Sequence, residues 1–144
     1  MPEMPLRETR AYVDLNAVAH NLAVLGNRVP ASQLVPAVKS DGYGHGAYAI
    51  AEAARAYGVP MLAGANLEEA VYLQERGIDI PMLILEDLFP SEIVPALEVG
   101  AILSAGSVSY ARQVSEVAGS LGMEARLHLN VDTGMGRMGL SADD

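Results

Sequence analysis

Five short apolar runs recur at near-regular spacing along this chain: "LVPAVK" (34–39), "PMLAGA" (60–65), "PMLILE" (81–86), "GAILSA" (100–105) and "ARLHLNVD" (125–132). Each has the length of a strand, and most are bounded by Gly, Pro or polar residues. Near-continuous apolarity suits parallel strands covered on both faces. Helical patterns fill the gaps. Leu15, Val18, Ala19, Leu22 and Leu25 follow i, i+3, i+4, i+7 spacing, with Asp14 as N-cap. Ile50, Ala53, Ala54 and Tyr57 repeat the spacing, and Gly58 stops it. Asn66 followed by Glu69 has the spacing of a capping box and opens a helix that runs to Gly77. "PSEIVPALEVG" (90–100) reads as a shorter helix, limited or kinked by Pro95. Val114, Val117, Ala118 and Leu121 mark a last helix, closed by Gly122.

Strand ends fall near Lys39, Ala65, Glu86, Ala105 and Asp132, about 20 to 27 residues apart, the period of successive βα units. Such units wind one way, because crossovers between parallel strands are right-handed. Two architectures satisfy this rhythm: an open doubly wound sheet, or part of a (β/α)8 TIM-type barrel. A complete barrel takes about 250 residues. About five βα units in 144 residues would therefore be an incomplete barrel.

The formal net charge of -9 argues against nucleic acid, whose phosphates need basic patches, and against anionic membranes. No apolar stretch approaches the roughly 20 residues that span a bilayer. The start, "MPEMPLRETR", has no apolar signal core. These features lead to the expectation of a soluble, cytoplasmic protein. There is no cysteine, which excludes disulfides, thiolate catalysis and zinc–thiolate sites, and no metal site is expected.

Eight of the nine basic residues are arginine, and the single lysine, Lys39, ends the first apolar run. In a parallel α/β fold the active site lies at the carboxyl ends of the strands. An ammonium in an apolar pocket loses hydration and becomes a nucleophile toward aldehydes, able to form a Schiff base. Gly42, Gly44 and Gly46 follow, letting the backbone turn sharply and approach a ligand. They open a helix near Ala47, whose N-terminus favours an anion. Tyr43 adds a hydroxyl and His45 an imidazole. A lysine, a glycine turn and a polar pair suit a phosphate-bearing aldehyde, and pyridoxal phosphate is the candidate. The competing reading is a snorkelling surface lysine. The glycines match neither the dinucleotide fingerprint nor a P-loop. A second glycine-rich stretch, "NVDTGMGRMG" (130–139), follows the last strand. Asp132 ends that strand, and Arg137 carries a fixed cation able to hold a phenolate, carboxylate or phosphate. Its competing reading is an ordinary loop with an exposed arginine.

"AVKSDGYGHG" resembles the cofactor-lysine signature of bacterial alanine racemases, and "HLNVDTGMGRMGL" resembles the arginine motif downstream in that family. The order and separation of the two also fit, and "AYVDLNAVAHNL" resembles the family's first strand and helix. The resemblance covers the whole chain but only the first part of the family's protein, which has an N-terminal (β/α)8 barrel and a C-terminal β domain and works as a homodimer. It implies that residues 1–144 are the N-terminal part of the barrel, without the β domain. The implied activity is pyridoxal-phosphate-dependent interconversion of L- and D-alanine by two bases, supplying D-alanine for peptidoglycan. Lys39 would bind the cofactor covalently and serve as one base. Tyr43 would hydrogen-bond the cofactor phosphate, and Arg137 would sit at the cofactor's phenolic oxygen and contribute to substrate binding. Many members carry a carbamylated lysine where this chain has Asn130, so the amide, with an anion such as chloride, is expected to take over the positioning of Arg137. The second base lies in the family's C-terminal half, so the segment alone is expected to be inactive. A racemase of broader amino-acid specificity and a cofactor-binding segment without turnover are the alternatives.

Overall fold

The structure, a computed structural model, describes residues 10–29 and 33–141. Residues 1–9, which carry most of the segment read for a signal core, lie outside the described residues. Four parallel strands, β1 (Leu62–Gly64), β2 (Met82–Ile84), β3 (Ile102–Ala105) and β4 (Leu127–Leu129), stand side by side in chain order. Leu62 pairs with Met82, Leu83 with Ile102 and Leu103 with Leu127. α4 (Leu67–Gln74), α5 (Pro90–Glu98) and α6 (Val108–Leu121) connect them. α3 (Ala47–Tyr57) precedes β1, and α1 (Leu15–Arg28) packs on α3. A doubly wound sheet reverses its strand order at a switch point. This order never reverses, so the sheet is an arc of a (β/α)8 barrel.

The helix boundaries follow local chemistry. Asp14 caps α1 by accepting from the N–H groups of Asn16 and Ala17. Gly58 and Gly122 close α3 and α6 in left-handed conformations. α4 ends at Gln74 rather than near Gly77. The Ile78 N–H reaches back to the Leu73 carbonyl across a left-handed Gly77, a closure that stops the helix early. Pro95 sits inside α5 without ending it.

Two expected strands differ. The run 34–39 makes one parallel bridge, Ala37 to Ala63. Val38 N–H donates to Ala63 O at 2.8 Å and Ala63 N–H to Pro36 O at 2.9 Å. The ladder goes no further, because Pro36 has no N–H to extend it upstream and the chain leaves the sheet plane at Lys39. Tyr12 and Val13, in the stretch that resembles a first strand, are exposed, and no described strand lies beside them to pair their backbone.

Side chains from one face of the sheet meet the helices in two clusters. Ile84, Leu103, Ile93 and Val114 centre one, and Leu62, Val38, Ala51 and Leu73 the other. All four residues of β3 are buried, whereas Leu129 on β4 is 65 % exposed. The arc is thus covered in its middle and bare at its β4 margin. Ile84 has no exposed surface. Ile84→Ala is expected to cost about 2–5 kcal/mol through lost burial and a residual cavity, read as a lowered urea midpoint. A loss well under 1 kcal/mol would show that this strand is not the core.

Candidate active site

The backbone after Val38 does something unusual. α2 (Lys39–Tyr43) is a single turn whose residues Ser40 (φ 52°, ψ 50°), Asp41 (φ 52°, ψ 47°) and Gly42 (φ 62°, ψ 37°) are left-handed. Tyr43 (φ 56°) and Gly44 (φ 82°) continue the hand. The left-handed conformation costs roughly 1–2 kcal/mol at each residue that carries a Cβ. Gly42 relieves the most crowded point, since a Cβ there would lie 3.3 Å from the Ala47 nitrogen. Such strain persists only where the surroundings over-determine it, and it clusters at functional sites.

Several bonds over-determine this turn. Gly42 N–H donates to Val38 O at 2.7 Å, and Gly46 N–H to Asp41 O at 2.8 Å. The Asp41 carboxylate accepts the Ala47 N–H at 2.7 Å. It thereby occupies the N-terminus of α3, the position the sequence had offered to an external anion. From the other side Glu69 reaches across from α4. Its Oε1 accepts the Ser40 N–H at 2.6 Å and its Oε2 the Ala65 N–H at 2.7 Å. Asn66 does cap α4, accepting from Glu69 N–H at 3.0 Å, but the Glu69 side chain grips these two other N–H groups. The sequence reading gave Asp41 and Glu69 no role at the turn. A carboxylate at capping-box spacing directly after a strand was the available signal, and it was read as a local cap. His45 Nδ1 lies 3.1 Å from Gly42 O and braces the turn. Lys39 is half-buried at the strand's carboxyl end, and Tyr43 is 60 % exposed beside it.

The second motif lies at the same edge of the sheet, after β4. Val131 pairs with Leu140, and Leu140 N–H donates to Asn130 O at 2.7 Å, so 130–140 is a closed loop. The Asp132 Oδ1 accepts the N–H groups of Gly134 and Gly136 at 2.9 and 3.0 Å. Gly139 (φ 125°) is obligatory, since a Cβ there would fall 2.6 Å from Asp132 N. Arg137 projects from this loop, exposed, and among the described residues no hydrogen bond or ion pair holds its guanidinium. Neither Asn130 nor any other described side chain contacts it through a polar atom. Lys39 and Arg137 therefore share the carboxyl edge without touching. The segment 36–38, β1, β2, β3 and β4 are successive neighbours, so the two motifs stand four strand positions apart. In an eight-stranded barrel that separation places them on opposite walls of one mouth.

Residues 13–144 match the family described as "Alanine racemase, N-terminal domain". The alanine racemase of Symbiobacterium thermophilum is 40 % identical over 135 residues, spanning 94 % of this chain and 36 % of that protein. Among solved structures, the alanine racemase of E. faecalis superposes with a TM-score of 0.82 at 31 % identity, over 88 % of this chain and 35 % of that one. A histidine racemase from Leuconostoc mesenteroides superposes with a TM-score of 0.80 at 26 % identity, over 87 % of this chain and 34 % of its own. The chain thus spans about a third of the length of the proteins it matches.

The Asp132 loop has a pH signature. N–H donation, first from Gly136 and then from Gly134, lowers the Asp132 pKa below its ordinary value. A lowered carboxylate pKa favours the folded loop at pH values above the ordinary one of roughly 4. That contribution is lost as pH falls through the lower folded value. The Gly134 and Gly136 amide resonances are expected to move together with Asp132 on acid titration, and to be insensitive to pH in Asp132→Asn. Titration of Asp132 at or above the ordinary value would contradict the loop geometry.

Proposed function

The chain belongs to the alanine racemase N-terminal domain family, and from that premise we propose that its parent protein interconverts L- and D-alanine with pyridoxal phosphate. The observation that carries the reading is the placement of the sole lysine. Lys39 leaves the sheet at its carboxyl edge on a strained turn held by two carboxylates. A surface lysine requires no such backbone. The residues present fit the cofactor. An amine stands at the strand end, a phenol beside it, and a guanidinium without a protein partner among the described residues stands four strand positions away, which a closed eight-stranded barrel would make the opposite wall. The groove behind the turn is lined by Asp41, Glu68 and Glu69, which repel a phosphate. Tyr43, on the open side, is the phosphate's hydrogen-bond donor in this reading.

When bound, pyridoxal phosphate acts as an electron sink that acidifies the α C–H of an attached amino acid. The chain's own residues would supply one side of the remaining chemistry. Lys39 would hold the cofactor through its Nζ, and on its face of the substrate would take the proton from Cα in one direction of the reaction and deliver one in the other. Arg137 would offer its donors to the phenolic oxygen and to the substrate carboxylate, which a guanidinium's several fixed N–H groups allow. Asp132 and Gly139 fix the loop from which Arg137 reaches. Asn130, with a bound anion, completes the positioning of Arg137. The second base, on the opposite face, is assigned to a tyrosine outside residues 1–144, contributed across a homodimer interface. Residues 1–144 alone are then an inactive part of a barrel that a C-terminal β domain follows. D-Alanine for peptidoglycan, made in the cytoplasm, is the product this reading implies, and no described helix is long and apolar enough to cross a membrane.

A second reading, a racemase of broader specificity, is favoured by one observation: a histidine racemase superposes as well as the alanine enzymes do. Chiral analysis of products from separate incubations with L-alanine and L-histidine separates the two. The first reading expects D-alanine and essentially no D-histidine. Lys39→Ala is expected to lower turnover by at least about a hundredfold, the scale of a lost proton-transfer group. Turnover that survives this substitution, or near-normal turnover by residues 1–144 alone, would overturn the assignment.

A further inference from the structure

We propose that Glu69 is the positioning residue for Lys39, acting through the backbone and not through the amine. The inference rests on the reading of Lys39 as the cofactor lysine and goes beyond it, since Glu69 lies on a different βα unit. The two oxygens of one carboxylate have divided duties. Oε2 accepts the Ala65 N–H at 2.7 Å, at the carboxyl end of β1. Oε1 accepts the Ser40 N–H at 2.6 Å, the amide directly after Lys39. The pair is a clamp between two strand ends at the point where the first strand stops being a ladder.

Three features show that the clamp is built in. Ser40 is the first residue of the left-handed run, so its N–H belongs to the peptide group that joins Lys39 to the strained turn. Fixing that peptide plane fixes ψ of Lys39, and with it the direction in which the lysine side chain departs. Ser40 is itself exposed, so its amide would otherwise face water. Finally, Gly64 is empty of side chain where the carboxylate passes. A Cβ there would lie 3.1 Å from Glu69 Oε2 and 2.7 Å from the Met82 sulfur. The absent side chain on β1 keeps the path to Ala65 clear.

Asp41 grips the same turn on its far side, but its partner is Ala47, which sets the start of α3. Loss of Asp41 frees the helix start. Loss of Glu69 frees the peptide that carries Lys39. The distinction makes the role of Glu69 specific.

The test compares the protein with Glu69→Gln and Asn66→Ala. Glutamine keeps one acceptor and turns an NH2 toward the other amide. Asn66→Ala removes the cap on the Glu69 N–H and leaves the two hydrogen bonds of the Glu69 carboxylate in place. Each is incubated with pyridoxal phosphate, reduced with borohydride and mapped by peptide mass spectrometry. The readout is the ratio of label on Lys39 to label on the N-terminal amine. Glu69→Gln is expected to lower that ratio at least tenfold, and Asn66→Ala to leave it within twofold, at comparable melting temperatures. An unchanged ratio in Glu69→Gln, with Lys39 labelled in the unsubstituted protein, overturns the positioning role and leaves the cofactor reading intact. No Lys39 label in the unsubstituted protein overturns the cofactor reading, and this inference with it. If Glu69→Gln does not fold, amide exchange of Ser40 in the unsubstituted protein decides. Protection of a hundredfold or more is expected, and exchange near the unstructured rate overturns the clamp.

Discussion

Three residues with side chains, Ser40, Asp41 and Tyr43, stand in a backbone conformation that L-amino acids avoid, and the rest of the carboxyl edge is arranged around them. The left-handed turn lets the chain leave the sheet at Lys39 and enter α3 eight residues later through only Gly44, His45 and Gly46. Carboxylates make it tenable. Asp41 satisfies an orphan N–H at the start of α3, and Glu69 joins the turn to β1. The same device recurs along the edge. Asp87 accepts the Gly106 N–H at 3.0 Å, linking the ends of β2 and β3, and Asp132 gathers its own glycine loop. Part of the chain's negative charge is therefore internal scaffolding, where charge-assisted bonds to backbone N–H groups are stronger than neutral ones.

In the proposed reading, the scaffold gives two motifs that never touch places in one site. Sequential parallel strands carry Lys39 and Arg137 to the two ends of an arc, and closure of an eight-stranded barrel would bring those ends to opposite sides of one mouth. The exposed Leu129 and Val131 and the open β4 margin are the counterpart of that arrangement. The chain spans about a third of its relatives, and an arc alone has no closed mouth.

Much of this was legible in the sequence because it rests on local rules. The apolar runs located β1 to β4 to within a few residues, since a strand buried on both faces, as β1 and β3 are, is largely apolar. Asp14, Gly58 and Gly122 marked helix ends through capping chemistry that depends only on near neighbours. What escaped was non-local. Glu69 at capping-box spacing reads as a cap, and only the fold brings Ser40, 29 residues away in sequence, to its other oxygen. The left-handed hand of Ser40 and Tyr43 has no propensity signal, because the conformation is imposed by partners distant in sequence. The strand at 34–39 was over-read for a related reason. Its apolarity is real, but the ladder depends on Pro36 and on the departure at Lys39.

The central claim is that the strained turn is a preformed seat for a cofactor on Lys39. A crystal structure of the protein grown with pyridoxal phosphate tests it most directly. The account predicts continuous density from Lys39 Nζ to the cofactor's aldehyde carbon, with Ser40, Asp41 and Tyr43 still at positive φ and Glu69 still on the Ser40 N–H. Cofactor bound elsewhere, or a right-handed turn after Lys39, would contradict it.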